Sequence, residues 1–141
     1  MKQTKFIACI ICFFLLLSCC SCGWFGPQEY ICKVDDVKSV QIVSLGEYVE
    51  DEYRYDYTVL YEIEDCVLFV EELNELKHSV NWGDPMVLNV GYTVIRIEYT
   101  NGDFDFIHSS AQLFNRSEKN DSGFFFFDKE QFDALISEYM D

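Results

Sequence analysis

Apolar and polar residues change their spacing several times along this chain, and each change marks a boundary. Phe6 to Leu17 (FIACIICFFLLL) is an unbroken apolar run. Val34 to Leu45 predicts a first strand, with Val37, Val40 and Ile42 on or near its buried side, and Gly46 to Glu52 (GEYVEDE) predicts a loop. Tyr53 to Ile63 alternates: Tyr53, Tyr55, Tyr57, Val59, Tyr61 and Ile63 fall on one face, with Leu60 breaking the rule. Alternation of that length predicts a half-buried antiparallel strand. After Asp65, a candidate N-cap, the spacing becomes helical. Cys66, Phe69, Val70, Leu73 and Leu76 form one stripe, while Glu71, Glu72 and Glu75 lie off it. His78 to Pro85 (HSVNWGDP) ends that helix.

Asn101-Gly102 sits between two apolar-rich runs, Tyr92 to Thr100 and Asp103 to Ser109. This dipeptide is the preferred centre of a two-residue type I′ hairpin turn. Such a turn sets Tyr99 opposite Phe104, Glu98 opposite Asp105 and Ile97 opposite Phe106. Ile95, Ile97, Tyr99, Phe104 and Phe106 then share the core face, with His108 opposite Ile95. Ala111 to Ser122 (AQLFNRSEKNDS) predicts a loop with a short edge segment, and Phe124 to Phe127 a last strand. Asp128 caps a final helix, Gln131 completes a capping-box pattern, and Phe132, Leu135, Ile136 and Tyr139 form its buried stripe. The order is ββαβββα, an α+β fold in which an antiparallel sheet of about five strands carries both helices on one face.

The N-terminal run decides the compartment. Lys2 and Lys5 form a basic head, the apolar core follows, and Ser18 is a small residue before a cut, the anatomy of a secretory signal peptide. Twelve helical residues rise only about 18 Å, too short for a bilayer core of about 30 Å. Leu16-Leu17-Ser18-Cys19 resembles the lipobox of bacterial lipoproteins. That resemblance implies a diacylglyceryl thioether on Cys19, which becomes the mature N-terminus. The competing readings are an ordinary cleaved signal, with Cys19 incidental, and an uncut signal-anchor. The resulting organisation is a signal peptide over 1–18, a lipidated tether over 19–29 and one α+β domain over 30–141. The element order of the body resembles small envelope lipoproteins of Gram-positive and gut bacteria, a resemblance that implies no activity.

Charge narrows the partners. The formal charge of −15 becomes −17 once Lys2 and Lys5 leave with the signal. Phosphate backbones would be repelled, so nucleic acid is excluded, and so is flat adsorption on an anionic membrane. Membrane contact is expected through the lipid alone. Aromatics make up 17% of the chain, enough for a packed core despite the charge. Cys32 and Cys66 are the natural disulfide pair within the body; the competing reading makes both of them small buried hydrophobes.

Catalytic motifs are absent from the sequence: no nucleophile elbow, zinc-protease motif or phosphate loop. His108 reads as a core-edge histidine, and His78 as a side chain at a helix C-terminus. No enzyme, cofactor or metal is expected. In the expected register Glu98 faces Asp105, with Asp103 along the same outward face. Facing like charges are destabilising across a sheet, so these carboxylates either splay into water, relieved by Arg96, or meet a basic protein partner or a cation. Two functions follow: an envelope-anchored, acidic binding module for a protein, or a structural envelope lipoprotein without a dedicated site. An exposed aromatic patch would favour the first, with Tyr30, Tyr48 and Trp82 as candidates.

Overall fold

The computed structural model describes residues 34–80, 87–117, 119–123 and 125–141. Its strands are β1 (Val37–Val49), β2 (Arg54–Glu62), β3 (His78–Val80), β4 (Thr93–Tyr99), β5 (Phe104–Ile107), β6 (Gln112–Arg116), β7 (Lys119–Gly123) and β8 (Phe125–Phe127). Its helices are α1 (Cys66–Glu75) and α2 (Lys129–Met140). The class is α+β. Six antiparallel strands form the main sheet in the order β2-β1-β4-β5-β6-β7, while β3 and β8 pair separately. The segment expected to be mostly loop, Ala111 to Ser122, therefore supplies two strands. Polar composition hid them because β7 (KNDSG) ends the strand order, and a sheet edge tolerates residues a central strand would not.

Both helices cover one face of the sheet, as their stripes require. Phe69, Val70 and Leu73 of α1 and Phe132 and Leu135 of α2 pack with Val40, Ile42, Ile95, Ile97 and Ile107. The Asp65 carboxylate accepts from the Leu68 N–H at 3.0 Å, and that of Asp128 from the Gln131 N–H at 3.1 Å. Gln131 does not complete a capping box. Its Oε1 instead accepts from the Lys77 N–H at 3.2 Å, while the Asp128 N–H donates to the Lys77 carbonyl at 2.8 Å. The start of α2 is thereby fastened to the chain entering β3. Tyr139 on α2 reaches back to Glu72 of α1 with its hydroxyl at 2.6 Å.

The opposite face is also partly buried. Val43, Leu45, Val94, Phe106 and Leu113 form a second cluster capped by Leu88. The Tyr55 hydroxyl donates to the Leu88 carbonyl at 3.1 Å. A sheet buried on both faces takes apolar residues at adjacent positions, as Val94 and Ile95 show.

β1 continues through the expected loop to Val49 and ends in a 3-10 turn, Glu50–Glu52, with Tyr53 in the left-handed region (φ 48°). Two irregularities let β1 and β2 pair over this length. Ile42 pairs with Tyr61 but Val43 pairs with Val59, so Leu60 is an extra residue on β2. Leu45 pairs with Tyr57 but Tyr48 pairs with Tyr55, so β1 carries the extra residue there, beside Gly46. A Cβ at Gly46 would lie 3.1 Å from the Asp56 Cβ and carbonyl oxygen, so a side chain at that crossing would press on the neighbouring strand. The Leu60 bulge also corrects the alternating face. Val59 lies across from Val43 on the second face, whereas Tyr61 lies across from Ile42 on the helix face.

β8 pairs with β3, His78 opposite Phe127, instead of extending the main sheet. Buried Gln112 joins the two sheets. Its Oε1 accepts from the Phe125 N–H at 3.1 Å and its Nε2 donates to the Phe125 carbonyl at 3.0 Å, so the side-chain amide substitutes for a strand backbone. His78 stands in β3, two residues beyond the Leu76 C-cap of α1, with ring Nδ1 3.0 Å from the Leu76 carbonyl oxygen.

Candidate binding surface

The β4–β5 hairpin separates the carboxylates expected to face one another. Ile97 pairs with Asp105, and Glu98 with Phe104, one residue off the register of a two-residue turn. The Gly102 N–H bonds to the Tyr99 carbonyl at 3.0 Å, and the Tyr99 N–H to the Asp103 carbonyl at 2.9 Å. Thr100, Asn101 and Gly102 thus form a three-residue loop, with Gly102 at φ 92°. This is the turn-plus-bulge alternative that also wants Gly at its left-handed position. Asn101 stabilises it by accepting the Asp103 N–H on Oδ1 at 3.0 Å. The slip moves Phe104 and Phe106 off the helix face and puts Asp105 onto it. His108 no longer faces Ile95, whose partner is Ile107.

Asp105 is fully buried, not outward. Arg116 donates from Nε to Oδ1 at 3.0 Å and from Nη2 to Oδ2 at 2.6 Å, and the Tyr99 hydroxyl donates to Oδ2 at 2.5 Å. The guanidinium lies over the rings of Phe114 and Tyr99, 4.8 and 5.5 Å from their centroids. Glu98 is on the opposite face, 2.5 Å from Lys38 Nζ and 3.0 Å from Arg96 Nη2. The hydrogen bond from Lys38 holds its carboxyl below the usual range, aided by Arg96. Asp103 accepts from the Ser117 hydroxyl at 2.6 Å and from Asn101 Nδ2 at 2.8 Å. Burial raises its carboxyl, but these bonds bring it below the ordinary value. All three carboxylates are internally paired, and they make no common face. Among the described residues no three His, Cys, Asp or Glu side chains gather to hold a metal ion.

Cys19 and Cys32 lie outside the described residues, as do Tyr30 and Trp82. Cys66 carries a thiol whose Sγ is 3.4 Å from the Ile63 carbonyl oxygen. His108 stacks on Tyr92 (centroids 4.6 Å apart, 25° between planes) at the wall of an open groove of about 430 Å³ that Phe132, Asp133 and Ser137 also line. The Ser110 N–H donates to Nδ1 at 3.3 Å, which selects the Nε2-protonated neutral ring. Burial pushes the imidazole below its ordinary value, the charge of Lys129 adds to this, and Asp133 opposes it.

The surface feature that periodicity alone did not reveal is β2. As the first strand in the sheet order it is an edge. It carries Tyr57, Val59, Leu60 and Tyr61 at 36–46% exposure, with Tyr48 of β1 at 42% beside it. Tyr48 packs on Tyr55 (5.0 Å), and Tyr57 on Phe106 (5.9 Å) and over the Arg96 guanidinium (4.9 Å), so the rings are held in place although exposed. The trace in the sequence was Leu60, which broke an otherwise regular alternation and proves to be the bulge. From position 50 to 65 the chain holds seven acidic residues and one basic one, Arg54. Arg54 is itself engaged by Glu52 and Asp56.

No family model matches this chain, and no curated protein or solved structure matches it either.

Proposed function

We propose that the protein is a lipid-anchored binding module of a bacterial cell envelope, held to the membrane through Cys19 and presenting an acidic domain to a protein partner outside the cytoplasm. The observation that carries the binding role is the set of exposed aromatic and aliphatic side chains along the edge strand β2: Tyr57 and Val59 on one face of the sheet, Tyr61 on the other, and Leu60 at the bulge between them. A purely structural envelope component has no need of such an edge, and exposed apolar side chains on an unpaired edge strand are an aggregation hazard unless something uses them. The net charge of −15 keeps that partner from being nucleic acid. Among the described residues no helix is long and apolar enough to cross a membrane; in this reading the lipid on Cys19 supplies the attachment.

The test is site-specific photo-crosslinking in intact cells, using the full-length protein with a photoreactive residue at Tyr61 or, as a control, at Glu130 on the far side of α2. A discrete adduct from Tyr61 and none from Glu130 is expected. Absence of adducts from either position overturns the binding role and leaves the structural reading.

A further inference from the structure

We infer that the open edge of β2 receives an extended, basic segment of the partner protein as an added antiparallel strand. This inference rests on the binding role proposed above and specifies the kind of partner and its mode of docking. The backbone pattern gives the geometry. Leu45 uses both its backbone groups on the side away from β2: its N–H donates to the Tyr92 carbonyl at 2.9 Å, and its carbonyl accepts from the Gly91 N–H at 2.8 Å. Its partner on β2 is Tyr57, which is therefore a non-hydrogen-bonded position whose own N–H and C=O face away from β1. The alternation of strand hydrogen bonding repeats this at Val59. Among the described residues no strand pairs with that outer edge. These outward amide and carbonyl groups sit beneath the exposed side chains of the same residues, the combination that strand addition uses: main-chain bonds for affinity and side-chain contacts for specificity. The Leu60 bulge interrupts the regular ladder just beyond Val59, so the main-chain bonds to the added strand are made at Tyr57 and Val59, and its flank passes Tyr61 and Glu62.

Charge selects the occupant. Exposed Glu52 and Asp56 lie at one end of this stretch, and Glu62 and Glu64 at the other. An incoming strand with Lys or Arg flanking an apolar centre matches both ends. A second copy of this chain does not. Two β2 edges paired antiparallel bring together two stretches that each hold seven acidic residues and one basic one from position 50 to 65, and that net repulsion disfavours the assembly.

Val59→Pro tests the backbone claim. Proline removes an N–H that the fold does not use, which an edge strand tolerates, but it deletes a bond the added strand needs. Val59→Lys is the second variant: an exposed substitution that leaves the core alone and sets a positive charge against a basic strand. In the Tyr61 crosslinking experiment both variants should lose at least ten-fold in adduct yield with unchanged circular dichroism, and added salt should lower the wild-type yield. The crosslinked segment, identified by mass spectrometry, should be rich in Lys and Arg. Full adduct yield from correctly folded Val59→Pro and Val59→Lys overturns strand addition while leaving the binding role standing. An acidic crosslinked segment, or an adduct of twice the chain mass, overturns the basic partner. Absence of any wild-type adduct overturns the underlying binding role itself.

Discussion

Arg116 holds the buried Asp105 carboxylate with two nitrogens, Nε to Oδ1 at 3.0 Å and Nη2 to Oδ2 at 2.6 Å. A fork-to-fork pair of this kind joins β5 to β6 across one sheet face and tolerates a charge where burial would otherwise forbid it. Tyr99 adds a hydroxyl to the same carboxylate oxygen that Nη2 contacts.

Arg116→Met should therefore cost about 3–5 kcal/mol, because it deprives a fully buried carboxylate of its counter-ion. The paired change, Asp105→Leu with Arg116→Met, should cost less than the single one, since no charge is then left inside. Urea unfolding midpoints of wild type, single and double variants measure this. A single variant no worse than an exposed control such as Lys129→Met contradicts it.

Gly102→Ala should destabilise by about 1–2 kcal/mol, although a Cβ there meets nothing within 4 Å. The cost is conformational: φ is 92°. Asn at the same position should recover part of the loss, because its short polar side chain tolerates the left-handed region better. Thermal melts of the three proteins order them Gly, Asn, Ala. Equal melting temperatures would show that the hairpin is not held in the three-residue form.

His108 gives a pH dependence whose sign follows from burial. Its folded-state value lies below the ordinary one, so between the two the unfolded chain binds more protons. The stability this group contributes is complete above the unfolded value of about 6.5. It declines as pH falls toward the folded value. The urea midpoint of wild type minus that of His108→Gln should thus shrink from pH 7.5 to pH 5. A difference independent of pH, or growing in acid, contradicts the burial of a neutral ring.

Cys19 carries the anchoring proposal. The wild-type protein extracted in detergent should have an intact mass that begins at Cys19 and includes diacylglycerol, and it should sediment with membranes. Cys19→Ser should abolish the acylation. A soluble, unacylated wild-type species beginning at another residue would refute the proposal.

The elements whose cause is local were legible in the sequence. Asp65 and Asp128 cap helices because a short carboxylate three residues before an amide closes the first turn, and the stripes Phe69-Val70-Leu73 and Phe132-Leu135 needed only the helical period. Register was decided by the tertiary structure. Asn101-Gly102 suits both a two-residue and a three-residue hairpin, since each places Gly102 in the left-handed region. Apolar alternation did not choose between them, because Leu88 and its neighbours bury the second sheet face, so Phe106 is as well covered there as Ile97 is on the helix face. The choice came from Arg116, eleven residues along the chain from Asp105, which gives a carboxylate on the core side its partner. The edge position of β2 was likewise a property of strand order, set by β1 pairing with β4 on its other side; Leu60 marked the bulge within β2, not its place at the edge.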